Sequence, residues 1–220
     1  MAIRLLPFRQ YAEEDVVNLF ANSAACASVL AKDAGEGDAG VFVKVSAGDF
    51  GADPVGYEDN AYLGKTDYPF IGRNQYPVVP LKVEAATSGD ACVGITLLQT
   101  AQADENGEKL LYYPQKKLEV QAVLTGEAVP VLGKGIVTLD AASAIAGSVQ
   151  EGDYLRLGAG GNAGKVTKSL EGASADVIGQ VLATGQRVNR GVSSDQFAGN
   201  SVGTGAAGTS GTYAVVRINC

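Results

Sequence analysis

The 220-residue sequence contains no histidine and no tryptophan, one methionine and only three cysteines. Without histidine, a Ser-His-Asp or Cys-His pairing is impossible, and so is the usual zinc site. A Ser-Lys pair is compatible with the composition, but no motif points to one. Charge is also scarce, at 19% of residues, below the usual quarter. The 17 basic residues against 24 acidic ones leave a net charge of -7. Lys116-Lys117 is the one adjacent basic pair, and contact with phosphate needs clustered cations, so no nucleic-acid partner is expected. Apolar runs fall short of the roughly 18 residues of a membrane-spanning helix. The opening MAIR leads into Pro7 and charged residues rather than the apolar core of a signal peptide. A soluble chain with no membrane partner is expected. Cys26, Cys92 and Cys220 lie far apart and are odd in number, which fits neither a disulfide framework nor a zinc spacing. They are expected to be buried or incidental thiols in a protein made in a reducing cytoplasm. No enzyme activity and no cofactor are expected.

What the sequence does have is glycine, 29 residues, and a hydrophobic content of 46% that allows a real core. High glycine with modest charge suits turn-rich β architecture better than a helical bundle. The organising stretch is residues 77–139. Its β-branched runs VVPLKV, VGITLL, LEVQAVL, AVPVL and GIVTL alternate with the turn clusters TSGD and DENG, where Gly with Asp, Asn or Ser supplies the positive φ of a tight reversal. Beyond it, YLRLG (154–158), GKVTKSL (164–170), DVIGQVLATG (176–185) and TYAVVRI (212–218) alternate as strands do, with DAASAIAGSVQEGD (140–153) a linker or short helical turn. Strands so spaced, with Gly-rich connections, suggest a sandwich or barrel.

The expected fold is therefore mainly β. A small Gly-rich C-terminal β-barrel spans 118–220, and a β-rich, possibly α+β, segment spans 11–117, preceded by an extended arm, 1–10. In the second segment VVNLF reads as a short strand or as part of a helix opened by Glu13, Glu14 and Asp15. Alanine content favours a helix somewhere in 23–32. VFVKVSAG (41–48) alternates as a half-buried strand. Residues 61–80 carry four Tyr or Phe and three Pro, which rules out a central strand. The polar, Gly/Ser-rich run 186–211 is a loop, mobile or ordered by a partner.

Two segments invite misreading. GAGGNAGKV (158–166) has Ala159 where a phosphate loop needs Gly and Val166 where it needs Ser or Thr. Gly158, Gly160 and Ala163 fit the loose dinucleotide pattern, but the segment leads into β-like sequence rather than a helix. Asp104, Glu105, Asn106 and Glu108 could offer oxygens to Ca²⁺, yet lack the spaced acids and closing Glu of a calcium loop. A strand connection and a hairpin turn explain them.

The words YPFIGRNQYPVVPLKV, ATSGD, GITLLQTAQADENGEKLLYYPQKKLE and AVPVLGKGIVTL within 68–139, with the opening LLPFRQYAEEDVVNLFA, resemble virion structural proteins of tailed bacteriophages, mostly of cyanobacteria. Together they cover about half the chain. The resemblance implies a non-catalytic virion component, best read as a capsid decoration (cement) protein on the outer capsid surface. It would dock on the major capsid protein and assemble with itself as a homotrimer. A tail, neck or head-fibre component is the alternative. A host-surface carbohydrate-binding module, with Tyr62, Tyr68, Phe70 and Tyr76 as its platform, is another. For a docking protein, the candidate contacts are Ile3, Leu5, Leu6 and Phe8 of the arm, apolar beside Arg4 and Arg9. Tyr68, Phe70, Arg73 and Tyr76 are the second set, because aromatics and Arg dominate interface energetics. The same aromatics would serve equally to plug a barrel end.

Overall fold

Side-chain alternation decides how the strands of this chain are shared between two sheets. The computed structural model describes residues 4–21, 39–45, 82–101, 106, 108–124, 127–170, 176–186 and 212–220. In chain order the strands are β1 (Leu5–Gln10), β2 (Val16–Ala21), β3 (Phe42–Val45), β4 (Lys82–Ala85), β5 (Gly94–Thr96), β6 (Gln99–Thr100) and β7 (Ala122–Val123). They continue with β8 (Ala128–Leu132), β9 (Lys134–Asp140), β10 (Ile145–Ala146), β11 (Tyr154–Leu157), β12 (Val166–Lys168), β13 (Gly179–Gln186) and β14 (Thr212–Asn219). Two short helices are α1 (Pro114–Glu119) and α2 (Ala141–Ala144), the latter capped by the Asp140 carboxylate, which accepts from the Ser143 N–H. The protein is mainly β, as its composition implies. No described helix is long and apolar enough to cross a membrane.

The pairings of β2, β4, β3, β5 and β8 return on themselves and close a five-stranded ring. Leu19, Val41, Val43, Val83, Ala85, Val129 and Val131 fill it. Five strands enclose little space, and compact β-branched side chains suit so narrow an interior. The larger sheet has seven strands in the order β1-β9-β14-β13-β11-β12-β10. Between ring and sheet lies the main core, where Phe42, Ile95 and Leu132 meet Leu5, Val137, Leu139, Leu155, Val166 and Val216. Val41, Phe42 and Val43 show the logic: the two valines enter the ring, and the phenylalanine between them faces the sheet. A strand buried on both faces reads as a continuous apolar run, and VFV is one.

This arrangement corrects the expected organisation. Of the strands within the expected C-terminal barrel, β9 to β14 lie in the seven-stranded sheet, which among the described residues does not return on itself, while β7 pairs with β6 and β8 joins the ring. The closed ring draws four of its five strands from before residue 97 and takes β8 from the other half. Reciprocally, β1 leaves the N-terminal half and pairs antiparallel with β9, Leu5 opposite Leu139 and Gln10 opposite Ile136. The expected boundaries at 10/11 and 117/118 therefore divide neither sheet from the other. The chain crosses between the two units at the 3-10 turn Glu13–Asp15 and at Gly133, which are joined by the Gly133 N–H donating to the Asp15 carbonyl at 2.9 Å. The VVNLF run is strand β2, antiparallel to β8 from Val16 opposite Leu132 to Phe20 opposite Ala128.

LEVQAVL also departs from expectation. Leu118 and Glu119 belong to α1, and Ala122 and Val123 alone form strand. Pro114 stands at the first turn of that helix, where its fixed φ is pre-set and its missing N–H costs nothing. Lys116, Lys117, Leu118 and Glu119 are all good helix formers. Gln121, with a positive φ of 51°, then turns the chain into β7.

The Gly-rich loop 158–164 ties the two units together. The Gly164 N–H donates to the Ala86 carbonyl at 2.8 Å, the Phe42 N–H to Gly164 at 3.1 Å, and the Ser88 N–H to Gly158 at 3.0 Å. Gly164 has a φ of +71°, and any Cβ there would run into Val41 and Ala85. Only glycine combines that conformation with so close an approach. The segment that mimics a nucleotide loop thus has its backbone committed to β3 and to the stretch just after β4.

Candidate functional site

Leu5 and Leu6 of the arm are 7% and 9% exposed, and the Asp140 N–H donates to the Arg4 carbonyl at 2.8 Å. The arm is an edge strand of the sheet, and Leu5 and Leu6 are covered by the protein's own fold rather than offered to a partner. That corrects the reading of these two as docking residues: the apolar arm is explained by β9. Phe8 points outward at 59% exposure. Beyond β1 lies an open groove of ≈ 920 Å³ lined by Pro7, Arg9, Tyr11 and Gln121, with Leu5 and Leu6 at its floor. Ile3, Tyr68, Phe70, Arg73 and Tyr76 lie outside the described residues, as do the expected helix in 23–32 and most of the 186–211 loop.

A more exposed apolar surface sits on residues 110–118. Leu110 is buried with Ala101, Ala122 and Leu124 against the small parallel pair β6–β7. That anchor turns Leu111, Tyr112, Tyr113 and Leu118 outward, at 63%, 71%, 49% and 74% exposure. Flanking ion pairs hold the ridge: Lys117 Nζ lies 2.8 and 3.0 Å from the two Glu127 oxygens, and Lys116 Nζ lies 3.5 Å from Glu108. The adjacent basic pair noted in the sequence is thus matched by carboxylates. Gln99 Nε2 donates to the Val120 carbonyl at 2.6 Å and fixes the helix end to β6. Sequence reading missed this ridge because LLYY looks like core. A 3-10 turn at Leu110–Tyr112 sends one leucine inward and leaves its neighbours out.

The second constellation is a cleft of ≈ 400 Å³ where ring and sheet meet, with Asp90, Cys92, Arg156, Asp176 and Cys220 among its walls. Here Cys92 Sγ and Cys220 Sγ are 3.0 Å apart, Cys92 half-buried and Cys220 exposed. The hydrogen bond between the sulfurs lowers the Cys92 thiol below its ordinary value and raises that of Cys220. The two sulfurs were expected to be unrelated. They are 128 positions apart in sequence, and only the sheet topology brings them together. Cys26 lies outside the described residues.

At the cleft's rim the TSGD turn is built as expected. The Asp90 carboxylate accepts from the Thr87 N–H and the Thr87 hydroxyl, both at 2.8 Å, and from Lys44 at 3.0 Å. The Thr87 N–H is the largest cause, and Lys44 the next, of an Asp90 carboxyl held below its usual range; Lys44 is in turn raised, chiefly by Asp90. A depressed carboxylate contributes stability that is complete above its unfolded-state value and is lost as pH falls through the folded one. Asp90→Asn is accordingly expected to cost about 1 kcal/mol at neutral pH. The gap between variant and wild-type urea midpoints should close at a pH below the carboxylate range. A gap that persists unchanged in acid would mean that the amide disturbs the turn for another reason.

Among the described residues no group of three or more His, Cys, Asp or Glu side chains is placed to hold a metal ion. No family model, curated protein or solved structure matches this chain.

Proposed function

We propose that this protein is a non-catalytic structural component of a bacteriophage virion, a decoration (cement) protein that binds the outer surface of the major capsid protein shell and stabilises it. The observation that carries the reading is the exposed ridge of Leu111, Tyr112, Tyr113 and Leu118. It falls inside LLYYPQKKLE, one of the stretches through which the sequence resembles phage virion proteins. Monomeric proteins seldom leave large aromatic and aliphatic side chains clustered on the outside, and such clusters mark contact surfaces. Tyrosine offers a large contact area with few rotatable bonds, which suits a docking anchor. Phe8 at the sheet edge is a second candidate contact, and Tyr68, Phe70, Arg73 and Tyr76 remain candidates from sequence. In this reading the acidic balance of the chain turns it away from packaged nucleic acid, and a homotrimer is the expected assembly.

Quantitative proteomics of purified particles tests the assignment. A copy number comparable with that of the shell protein is the expected result. A few copies per particle would instead place the chain in the tail, neck or head fibres. At the residue level, the double variant Tyr112→Ser with Leu118→Ser should keep the wild-type melting temperature. It should bind empty shells at least about tenfold more weakly, since hot-spot side chains each contribute on the order of 1–2 kcal/mol or more. Unchanged binding would remove the ridge from the interface.

A further inference from the structure

We propose that Cys92 and Cys220 form a redox-active pair that closes to a disulfide, locking the five-stranded ring to the seven-stranded sheet. The sulfurs already sit 3.0 Å apart, and a covalent bond needs about 2.0 Å, so closure requires an approach of only about 1 Å between them. Both backbones are held by hydrogen bonds. The Cys220 N–H donates to the Gly133 carbonyl at 3.0 Å, and next to Cys92 the Val93 N–H donates to Val43 at 2.9 Å. Cys220 directly follows β14, which lies between β9 and β13, while Cys92 leads into β5 of the ring. The bond would therefore add a covalent link to the packing and the backbone hydrogen bonds that already join the two units. The cleft of ≈ 400 Å³ beside the sulfurs opens to solvent and gives a small oxidant access to them.

The oxidant class is a low-molecular-weight disulfide. The Cys92 thiolate attacks one of its sulfurs; a mixed disulfide forms, the small disulfide's bond breaks, and one small thiolate departs. Cys220 then gives up its proton and attacks the Cys92 sulfur. The Cys92–Cys220 bond forms, the mixed bond breaks, and a second small thiolate leaves. Two protein thiols are oxidised, one small disulfide is reduced, and the two protons end on the released thiols. The hydrogen bond between the sulfurs favours Cys92 as the attacking group, and thiol–disulfide exchange runs through the thiolate. In a reducing cytoplasm the pair stays open; in an oxidising medium it closes.

The test uses the full chain, purified under reductant, exchanged into buffer and incubated with oxidised glutathione. Free thiols are then counted in denaturant and the protein is mapped by mass spectrometry without reduction. The sequence has three cysteines, so the expected result is a fall from three free thiols to one, with the Cys92 and Cys220 peptides linked. Cys26→Ser should go from two thiols to none, and Cys220→Ser should retain a glutathionyl group on Cys92. Three thiols that stay free would overturn the proposal. So would a bond that includes Cys26, or unresolved glutathione adducts on both Cys92 and Cys220 of the wild type.

Discussion

Replacing Phe42 with alanine is expected to cost about 3–5 kcal/mol of folding stability, the range for truncating a buried aromatic. Phe42 is fully buried and is the largest side chain in the core between ring and sheet. It leaves the ring through strand β3 and enters the space lined by Leu5, Leu132, Val137, Leu139 and Val216. Few of these neighbours can close the gap, because each is held by its own strand pairing, Val137 and Leu139 by both β1 and β14. The cavity would persist, and persistent cavities lie at the costly end of the range. The same residue tests whether the two units fold together. With one shared core, urea transitions followed by tyrosine fluorescence and by circular dichroism should shift together. A ring that melts apart from the sheet would give two transitions, only one of them moved. Val45→Ala, on the same strand but 43% exposed, is the control and should stay within about 0.5 kcal/mol of wild type.

Much of this fold is legible in the sequence at the level of single strands. AVPVL, GIVTL, YLRLG, GKVTKSL and TYAVVRI mark β8, β9, β11, β12 and β14 to within a few residues at each end, because alternation is a local property that needs no knowledge of the partner. The TSGD reversal was legible for the same reason: Asp90 and Thr87 are three residues apart and satisfy each other. Partnership was not legible. AVPVL carries nothing that says it will pair with VVNLF, 112 positions upstream by the Val16–Ala128 starts of the two strands. Nor does LLPFRQ announce that it will pair with GIVTL. Strand exchange of this kind is decided by which apolar faces end up opposite one another, a global outcome. The thiol pair was hidden by the same non-locality. Odd cysteine counts and wide spacings are weak evidence against proximity once a sheet folds the chain back. The exposed ridge was hidden for a different reason. LLYY and LLYYP are apolar words, and apolar words read as core until a 3-10 turn splits them between inside and outside.

Deleting residues 2–9 should unfold the protein or bring it close to unfolding, rather than leave a stable body lacking a loose arm. The sequence alone suggested an extended arm, 1–10, with candidate contacts for a partner. In the structure it is β1, the edge strand paired with β9. Burying Leu5 and Leu6 contributes roughly 1.5–3 kcal/mol each, so about 3–6 kcal/mol leaves with them before any β1–β9 hydrogen bond is counted. Small proteins have only about 5–15 kcal/mol in total. The deletion would also uncover the flank of β9, an unpaired edge next to exposed apolar core and hence a site for aggregation. At roughly 2–4 °C per kcal/mol for a chain of this size, a folded remnant should melt about 6–24 °C lower. Point variants separate folding from docking. Leu5→Ala should lower the melting temperature, because its side chain lies in the shared core with Leu139 and Val137. Phe8→Ala should leave it unchanged, because Phe8 is 59% exposed, and any loss of shell binding by that variant would then report on the surface alone. A deletion variant that melts at the wild-type temperature would show that β1 contributes nothing to the sheet, and the arm would return to being a docking segment.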